Sequence, residues 1–151
     1  KHAARVHMAN IAQTVNVLQA MILTDGDQMV KTPSYHVFDL YKVHQDAEKI
    51  DSHGEQGAHI TYTISKKEET LHVSICNFDT QATESLSFSL ESAIKEVKEA
   101  RYIVGDTMNA HNDFDHPDTV QIQTFDAYQV AENQLSVSVP PMSVLTISLS
   151  V

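Results

Sequence analysis

The chain has 151 residues and a formal net charge of −10, and 42% of its residues are apolar and 20% charged. This composition is typical of a globular protein of about one domain, and the acidic balance disfavours binding to nucleic acid. A single cysteine, Cys76, excludes an internal disulfide, and no apolar run approaches the roughly 20 residues of a membrane span. Because the chain begins with Lys1 and shows no signal peptide, we expect a fragment of a longer protein.

The first 48 residues predict one strand followed by one helix. Residues 6–12 are mostly apolar and suit a buried strand, although so short a pattern does not distinguish a strand from a helix. Residues 25–27, Asp-Gly-Asp, predict a turn. Thr32 and Pro33 then predict a helix start, with a capping hydroxyl and a proline at the first helical position. Apolar residues at helical spacing extend the helix over residues 34–47.

After a polar linker at 45–56, the apolar period changes to two. Alternating runs lie at 60–65, 71–76, 85–90, 120–122, 135–139 and 145–151. Each run has one apolar and one hydroxyl-rich face, which predicts antiparallel sheets with one side in water and a β-sandwich fold. The stretch 92–105 stays open, since it allows a helix before a strand at 101–104.

The chain is therefore divided into two parts. Residues 1–48 resemble the last strand–helix unit of an α/β domain, and residues 49–151 form the β-sandwich. A lone strand–helix unit cannot cover both faces of its strand, so its neighbouring strands must come from elsewhere.

A cluster of His111, Asp113, Asp115 and His116 offers metal-binding side chains within six residues. Zinc requires three or four ligands that converge on one point. A polar loop closed by Pro117 explains the same residues more simply, and we expect no metal site.

The sequence gives only weak support for nucleophilic catalysis and for direct sugar binding. Cys76 lies beside Asn77 on a predicted strand, without the helix terminus or basic neighbour that activates a thiol. Sugar-binding modules commonly use exposed aromatic rings, but tryptophan is absent. Packing is the better interpretation for the remaining candidates, Phe78, Phe114, Phe125 and Tyr128.

A polar set, Asn10, Gln13, Thr14 and Asn16, follows the apolar run 6–12. If that run is a strand of a β/α barrel, its carboxyl end faces the active site. An amide at this position can donate and accept hydrogen bonds with a sugar hydroxyl. Alternatively, Gln13 only satisfies backbone groups at the end of the strand.

Three blocks occur in order along the chain: RVHMANIAQTVNVLQAMILT at 5–24, TPSYHVFDLY at 32–41, and MNAHNDF at 108–114, followed by Pro117. They resemble bacterial α-L-arabinofuranosidases of glycoside hydrolase family 51. The resemblance implies a mainly β fold: a C-terminal β-sandwich of jelly-roll type, preceded by strand eight and helix eight of a (β/α)₈ barrel. It also implies retaining hydrolysis, without a cofactor, of terminal α-L-arabinofuranosyl groups in oligosaccharides and polysaccharides.

The resemblance places both catalytic carboxylates upstream of Lys1, because the Asn-Glu-Pro motif of the family is missing here. The fragment alone is therefore expected to be inactive and to have a structural role. Gln13 matches the family's Ala-Gln position, so its expected role is to contact arabinose. A cytoplasmic location and a homo-oligomer are further expectations. The alternative is a non-catalytic carbohydrate-binding sandwich module.

Overall fold

A computed structural model of the chain describes residues 5–53 and 57–151. The described residues contain eleven strands, one α-helix and one 3₁₀ turn. In chain order these are β1 (Ile22–Asp25), β2 (Gln28–Lys31), α1 (Pro33–Tyr41), the 3₁₀ turn (Lys42–His44), β3 (Glu48–Ile50), β4 (Ile60–Lys67), β5 (Thr70–Asn77), β6 (Glu84–Ser89), β7 (Glu96–Val104), β8 (Gln123–Thr124), β9 (Tyr128–Ala131), β10 (Gln134–Val139) and β11 (Ser143–Ser150). In this part of the chain, no helix has the length and apolarity that a bilayer crossing requires.

Two antiparallel sheets pack face to face, which confirms the predicted β-sandwich. The larger sheet has the strand order β3-β4-β5-β11-β7-β8, and the smaller has the order β6-β10-β9. Their facing sides form one apolar core, in which β5, β10 and β11 supply fully buried leucine, isoleucine and valine side chains. The rings of Tyr62 and Phe88 meet edge to face across the two layers, 5.1 Å apart. None of residues 5–21 belongs to this core.

The helix α1 packs on the outer side of the larger sheet. Leu40, on α1, is fully buried with Ile103 of β7 and with Val120, and Val37 and Val144 pack against this second cluster. The helix begins at Pro33, as predicted, and with the 3₁₀ turn it ends at His44 rather than at residue 47. The apolar face of α1 thus packs against the sandwich.

The prediction that the hydroxyl-rich face lies in water is wrong for the larger sheet. On the faces of β4, β5 and β11 that point away from the core, five polar residues are buried: Ser65, His72, Ser74, Thr146 and Ser148. The α1 helix contacts β7 and β11, and the 3₁₀ turn contacts β4. The alternating pattern shows that a strand has two unlike faces, but it cannot show which of them another element covers.

The amino-terminal residues differ from the predicted buried strand. Residues 6–14 form neither helix nor strand, and Val6, Met8 and Ile11 are exposed. A strand of a parallel sheet depends on neighbours for its backbone hydrogen bonds, and no described strand pairs with these residues. The assignment of residues 1–48 to a barrel stays a prediction.

A hairpin follows instead, in which β1 pairs with β2 around the predicted turn. The pairing of Asp25 with Gln28 leaves two turn residues, Gly26 and Asp27. Gly26 has a φ of 57°, a left-handed conformation that glycine adopts without steric cost. The turn was therefore predicted at the right place, whereas the hairpin itself was not.

Three further segments depart from the predicted elements. The stretch 92–105 contains the strand β7 and no helix. Residues 120–122 form no strand, and the adjoining β8 has only two residues. The predicted linker at 45–56 contains the short edge strand β3, which pairs with β4.

Candidate functional site at the amino-terminal segment

Residues 14–16 are held beside β1 by hydrogen bonds in both directions. The amide of Ile22 donates to the Thr14 carbonyl at 3.1 Å, and the amide of Asn16 donates to the Ile22 carbonyl at 3.1 Å. The Asn16 side chain adds bonds to Thr24: its Oδ1 accepts from the Thr24 amide at 2.7 Å, and its Nδ2 donates to Thr24 Oγ1 at 2.9 Å. Asn16 therefore has a structural use, and its φ of 56° suits asparagine.

Gln13 immediately precedes this anchored stretch. Its side chain is exposed, as is that of Asn10. A primary amide can donate two hydrogen bonds and accept others, and it carries no charge, which suits the neutral hydroxyl groups of a sugar. The structure thus fixes the backbone next to Gln13 and leaves its side chain accessible, while Thr14 and Asn16 of the same polar set are engaged within the chain.

Thr32 joins the start of α1 to the loop that precedes β1. It occupies the N-cap position as predicted, but its hydroxyl makes no capping bond to the helix. Instead, Thr32 Oγ1 donates to the carbonyls of Ala20 at 2.7 Å and Met21 at 3.2 Å. The Thr32 amide also donates to the Met21 carbonyl at 3.0 Å. The predicted capping hydroxyl therefore closes the loop over residues 16–21.

Asn112 connects this region to the sandwich, a role that sequence analysis missed. It is only 2% exposed, and its Nδ2 donates to the carbonyls of Lys31 at 2.7 Å and Val120 at 2.8 Å. Its Oδ1 accepts from the Val120 amide at 2.7 Å. Asn112 lies inside the MNAHNDF block that carries the resemblance. Its partner Lys31 is 81 positions away, so a single sequence gives no sign of this contact.

The histidine and aspartate cluster forms a turn. Asp113 Oδ1 accepts from the His116 amide at 2.6 Å, and His116 Nδ1 lies 3.3 Å from the same oxygen. The hydrogen bond from the backbone amide of His116 lowers the pKa of the Asp113 carboxyl group. His111 Nδ1 lies 2.8 Å from the Asn109 carbonyl instead. Within residues 5–53 and 57–151, no three His, Cys, Asp or Glu side chains converge as metal ligands.

Cys76 lies beside an open, mainly apolar cavity of about 300 Å³ at the end of the sandwich. Phe78, Met108 and Val144 are among the residues that line the cavity. Burial raises the pKa of the Cys76 thiol, which disfavours the thiolate form needed for nucleophilic chemistry. The cavity therefore offers apolar contact and no activated nucleophile.

Exposed apolar side chains are concentrated in the amino-terminal region. Of eleven large apolar residues that are exposed in the described structure, eight precede residue 42: Val6, Met8, Ile11, Val15, Leu18, Met29, Phe38 and Tyr41. Single exposed apolar residues are ordinary, whereas a contiguous patch of them is typical of a contact surface. These eight residues are referred to below as the amino-terminal apolar surface.

Two packed antiparallel sheets, with a helix on the outer side of the larger one, define a β-sandwich domain. The chain belongs to the family of alpha-L-arabinofuranosidase C-terminal domains, whose model matches residues 1–143. It corresponds to the C-terminal region of family 51 arabinofuranosidases, as the sequence blocks predicted.

Individual relatives support this membership. The intracellular exo-alpha-L-arabinofuranosidase of Bacteroides ovatus is 32% identical over 99% of the chain and 31% of its own length. The crystal structure of the family 51 arabinofuranosidase from Xanthomonas axonopodis pv. citri matches 99% of the chain with a TM-score of 0.85 and 34% identity. A Thermotoga maritima alpha-L-arabinofuranosidase structure shares the fold, with a TM-score of 0.84 at 20% identity. The chain spans about a third of the length of these proteins.

Proposed function

We propose that this chain serves as the C-terminal part of a retaining α-L-arabinofuranosidase that removes terminal arabinofuranosyl groups from oligosaccharides and polysaccharides. The observation that carries the proposal is the match to the Xanthomonas enzyme, which combines 34% identity with a common fold over 99% of the chain. The Bacteroides relative carries the name of an intracellular exo-enzyme, which also supports cleavage of terminal groups and a cytoplasmic location.

In this proposal the chain supplies structure and one substrate contact, while the catalytic carboxylates lie in the remainder of the enzyme. Retaining glycosidases use two carboxyl groups about 5–5.5 Å apart, one as nucleophile and one as acid and base. The family's Asn-Glu-Pro motif does not occur in this chain. We therefore expect no turnover from the chain alone. The sandwich would support the barrel through α1, which packs on the larger sheet.

Gln13 would contact the arabinose from the end of the last barrel strand. Its exposed amide and the anchored backbone at Thr14 support this role. Residues 1–48 would complete the barrel, and residues 49–151 would form the sandwich. Added barrel strands would give residues 6–12 the hydrogen-bond partners and the cover that they lack in this chain.

The reading frame upstream of Lys1 gives the first test. An open frame of some 350 codons that encodes Asn-Glu-Pro and a later glutamate at a strand end is the expected result. A start codon immediately before Lys1 would contradict the proposal. In that case, retardation of the chain in an arabinan or arabinoxylan gel would support the alternative, a carbohydrate-binding module.

The second test replaces Gln13 in the complete enzyme. Loss of one neutral hydrogen bond to the sugar is worth about 0.5–1.5 kcal/mol, so Gln13→Ala should lower kcat/KM on a nitrophenyl arabinofuranoside roughly 2- to 13-fold. Gln28→Ala is the matched control, because Gln28 is an exposed glutamine on the adjacent hairpin. Equal kinetics for both variants would remove Gln13 from the substrate site.

A further inference from the structure

The side-chain amide of Asn112 joins two parts of the chain that are distant in sequence, and both its nitrogen and its oxygen form hydrogen bonds. Both Nδ2 bonds run to carbonyls, one on Lys31 at the end of β2 and one on Val120, and Oδ1 accepts from the Val120 amide. The residue is buried, so water cannot replace these partners. No side chain without both a donor and an acceptor satisfies all three backbone groups.

From Lys31 a short series of bonds leads back to the segment that carries Gln13. Thr32, the next residue, donates from its amide and its hydroxyl to the carbonyl of Met21, and its hydroxyl also bonds Ala20. The residue after Met21, Ile22, donates to the Thr14 carbonyl. Each step involves adjacent residues, so displacement of Lys31 would be transmitted to the anchored stretch 14–16.

We propose that Asn112 is a positioning residue through which the sandwich fixes the Gln13 segment. The effect on catalysis rests on the proposed function, since it requires that Gln13 contact the sugar. The anchoring itself does not, because it concerns only hydrogen bonds within this chain. A sandwich loop would thereby contribute to substrate affinity without touching the substrate.

Asn77 provides a matched control in the same domain. It is 1% exposed, and its Nδ2 donates to the carbonyls of Ala82 at 2.9 Å and Val139 at 3.1 Å. Its Oδ1 accepts from the Asp79 amide at 3.0 Å. Asn77 therefore loses the same number and kind of bonds on substitution, but none of its partners lies in residues 14–32.

Hydrogen exchange on the 151-residue chain tests the anchoring. Asn112→Asp keeps an acceptor for the Val120 amide and removes the donor to the carbonyls of Lys31 and Val120. It should therefore speed exchange at the amides of Ile22 and Thr32 by about tenfold relative to core amides of β11, while Val120 stays protected. Asn77→Asp should leave the ratio unchanged at both positions. Unchanged exchange at Ile22 and Thr32 in Asn112→Asp would overturn the proposal.

Kinetics of the complete enzyme test the consequence for substrate. Asn112→Asp should raise KM roughly 3- to 10-fold with little change in kcat, and Asn77→Asp should change neither. Faster exchange combined with an unchanged KM would overturn the positioning role. If the complete protein had no arabinofuranosidase activity, the proposed function would fail, while the exchange result would still decide whether Asn112 anchors the segment.

Discussion

His44 has both ring nitrogens engaged by serine hydroxyl groups of the larger sheet. Nδ1 lies 2.7 Å from Ser65 Oγ, and Nε2 contacts Ser74 Oγ. His72 lies nearby, with a ring-centre separation of 6.3 Å, and its Nδ1 is 2.8 Å from Ser148 Oγ. These contacts attach the 3₁₀ turn to the sheet. They explain why His44 follows Val37 and Leu40 at helical spacing although its own partners are polar.

The pKa values of these two histidines predict acid sensitivity. Burial lowers the pKa of His44 from its ordinary value of 6.5, and His72 adds to the effect. Burial, then Lys98 and Lys67, lower the pKa of His72. The unfolded chain therefore binds protons that the folded chain resists, so the stabilising contribution is complete above about pH 6.5 and is lost as the pH falls through the lower folded values.

The measurement is the thermal midpoint of this chain between pH 5 and pH 8. We expect a plateau above about pH 6.5 and a fall below it. His44→Gln should flatten the fall, because glutamine can bond both serines without acquiring a charge. His53→Gln, at an exposed position, should leave the wild-type profile unchanged. A wild-type midpoint that does not change between pH 7.5 and pH 5 would contradict the prediction.

At the scale of elements, α1 is attached to the sandwich by one buried side chain and one ionic contact. Leu40 is fully buried against Ile103 and Val120. Asp39 Oδ2 lies 3.5 Å from Arg101 Nη1 on β7. The apolar contact should dominate, because ion pairs near the surface contribute at most about 1 kcal/mol.

Leu40→Ala should therefore lower the free energy of unfolding by about 2–5 kcal/mol, as expected for a leucine truncated in a closed core. The matched control is Phe38→Ala on the same helix. Phe38 is 51% exposed, so its loss should change stability by no more than about 0.5 kcal/mol. Urea denaturation of both variants gives the comparison. Similar losses for the two would show that α1 is not docked through Leu40.

The strand β7 shows why the sequence left residues 92–105 open between helix and strand. The register of β11 against β7 shifts between Ser148 and Leu149, which pair with Glu99 and Val97. The extra residue, Lys98, leaves Val97 and Ala100 on the core side although they are three positions apart. A bulge thus replaces the period of two with a spacing typical of helices.

Elsewhere, prediction succeeded where one face of a strand meets the core. The strands β4, β5, β6, β10 and β11 lie within two residues of their predicted positions, because packing requires strict alternation.

Prediction failed for β3, an edge strand with the sequence Glu-Lys-Ile that shows no apolar face. It also failed for residues 120–122, which form no strand, because the backbone of Val120 bonds the side-chain amide of Asn112 and not a neighbouring strand. At the candidate site, Gln13 was predicted through the family resemblance and stays a prediction, whereas the anchors Thr32 and Asn112 depend on contacts distant in sequence.

At the scale of the whole molecule, a complete sandwich core coexists with an amino-terminal apolar surface that no described segment covers. Leu18 is 87% exposed and Met8 is 76% exposed. In the proposed complete enzyme, the rest of the barrel would cover these side chains. In the chain alone, a second copy can do so, because apolar surface removed from water contributes about 25 cal/mol per Å².

We therefore predict that the isolated chain forms dimers through this surface or by exchange of the segment that carries it. Light scattering should give about twice the monomer mass of 16.8 kDa. Met8→Lys combined with Leu18→Lys should restore the monomer, since a lysine in the contact must lose its hydration. Met108→Lys is the control, because Met108 is 81% exposed but lies on the loop beyond β7. A wild-type chain that stays monomeric would contradict the prediction, and a dimer disrupted only by Met108→Lys would move the contact to that loop.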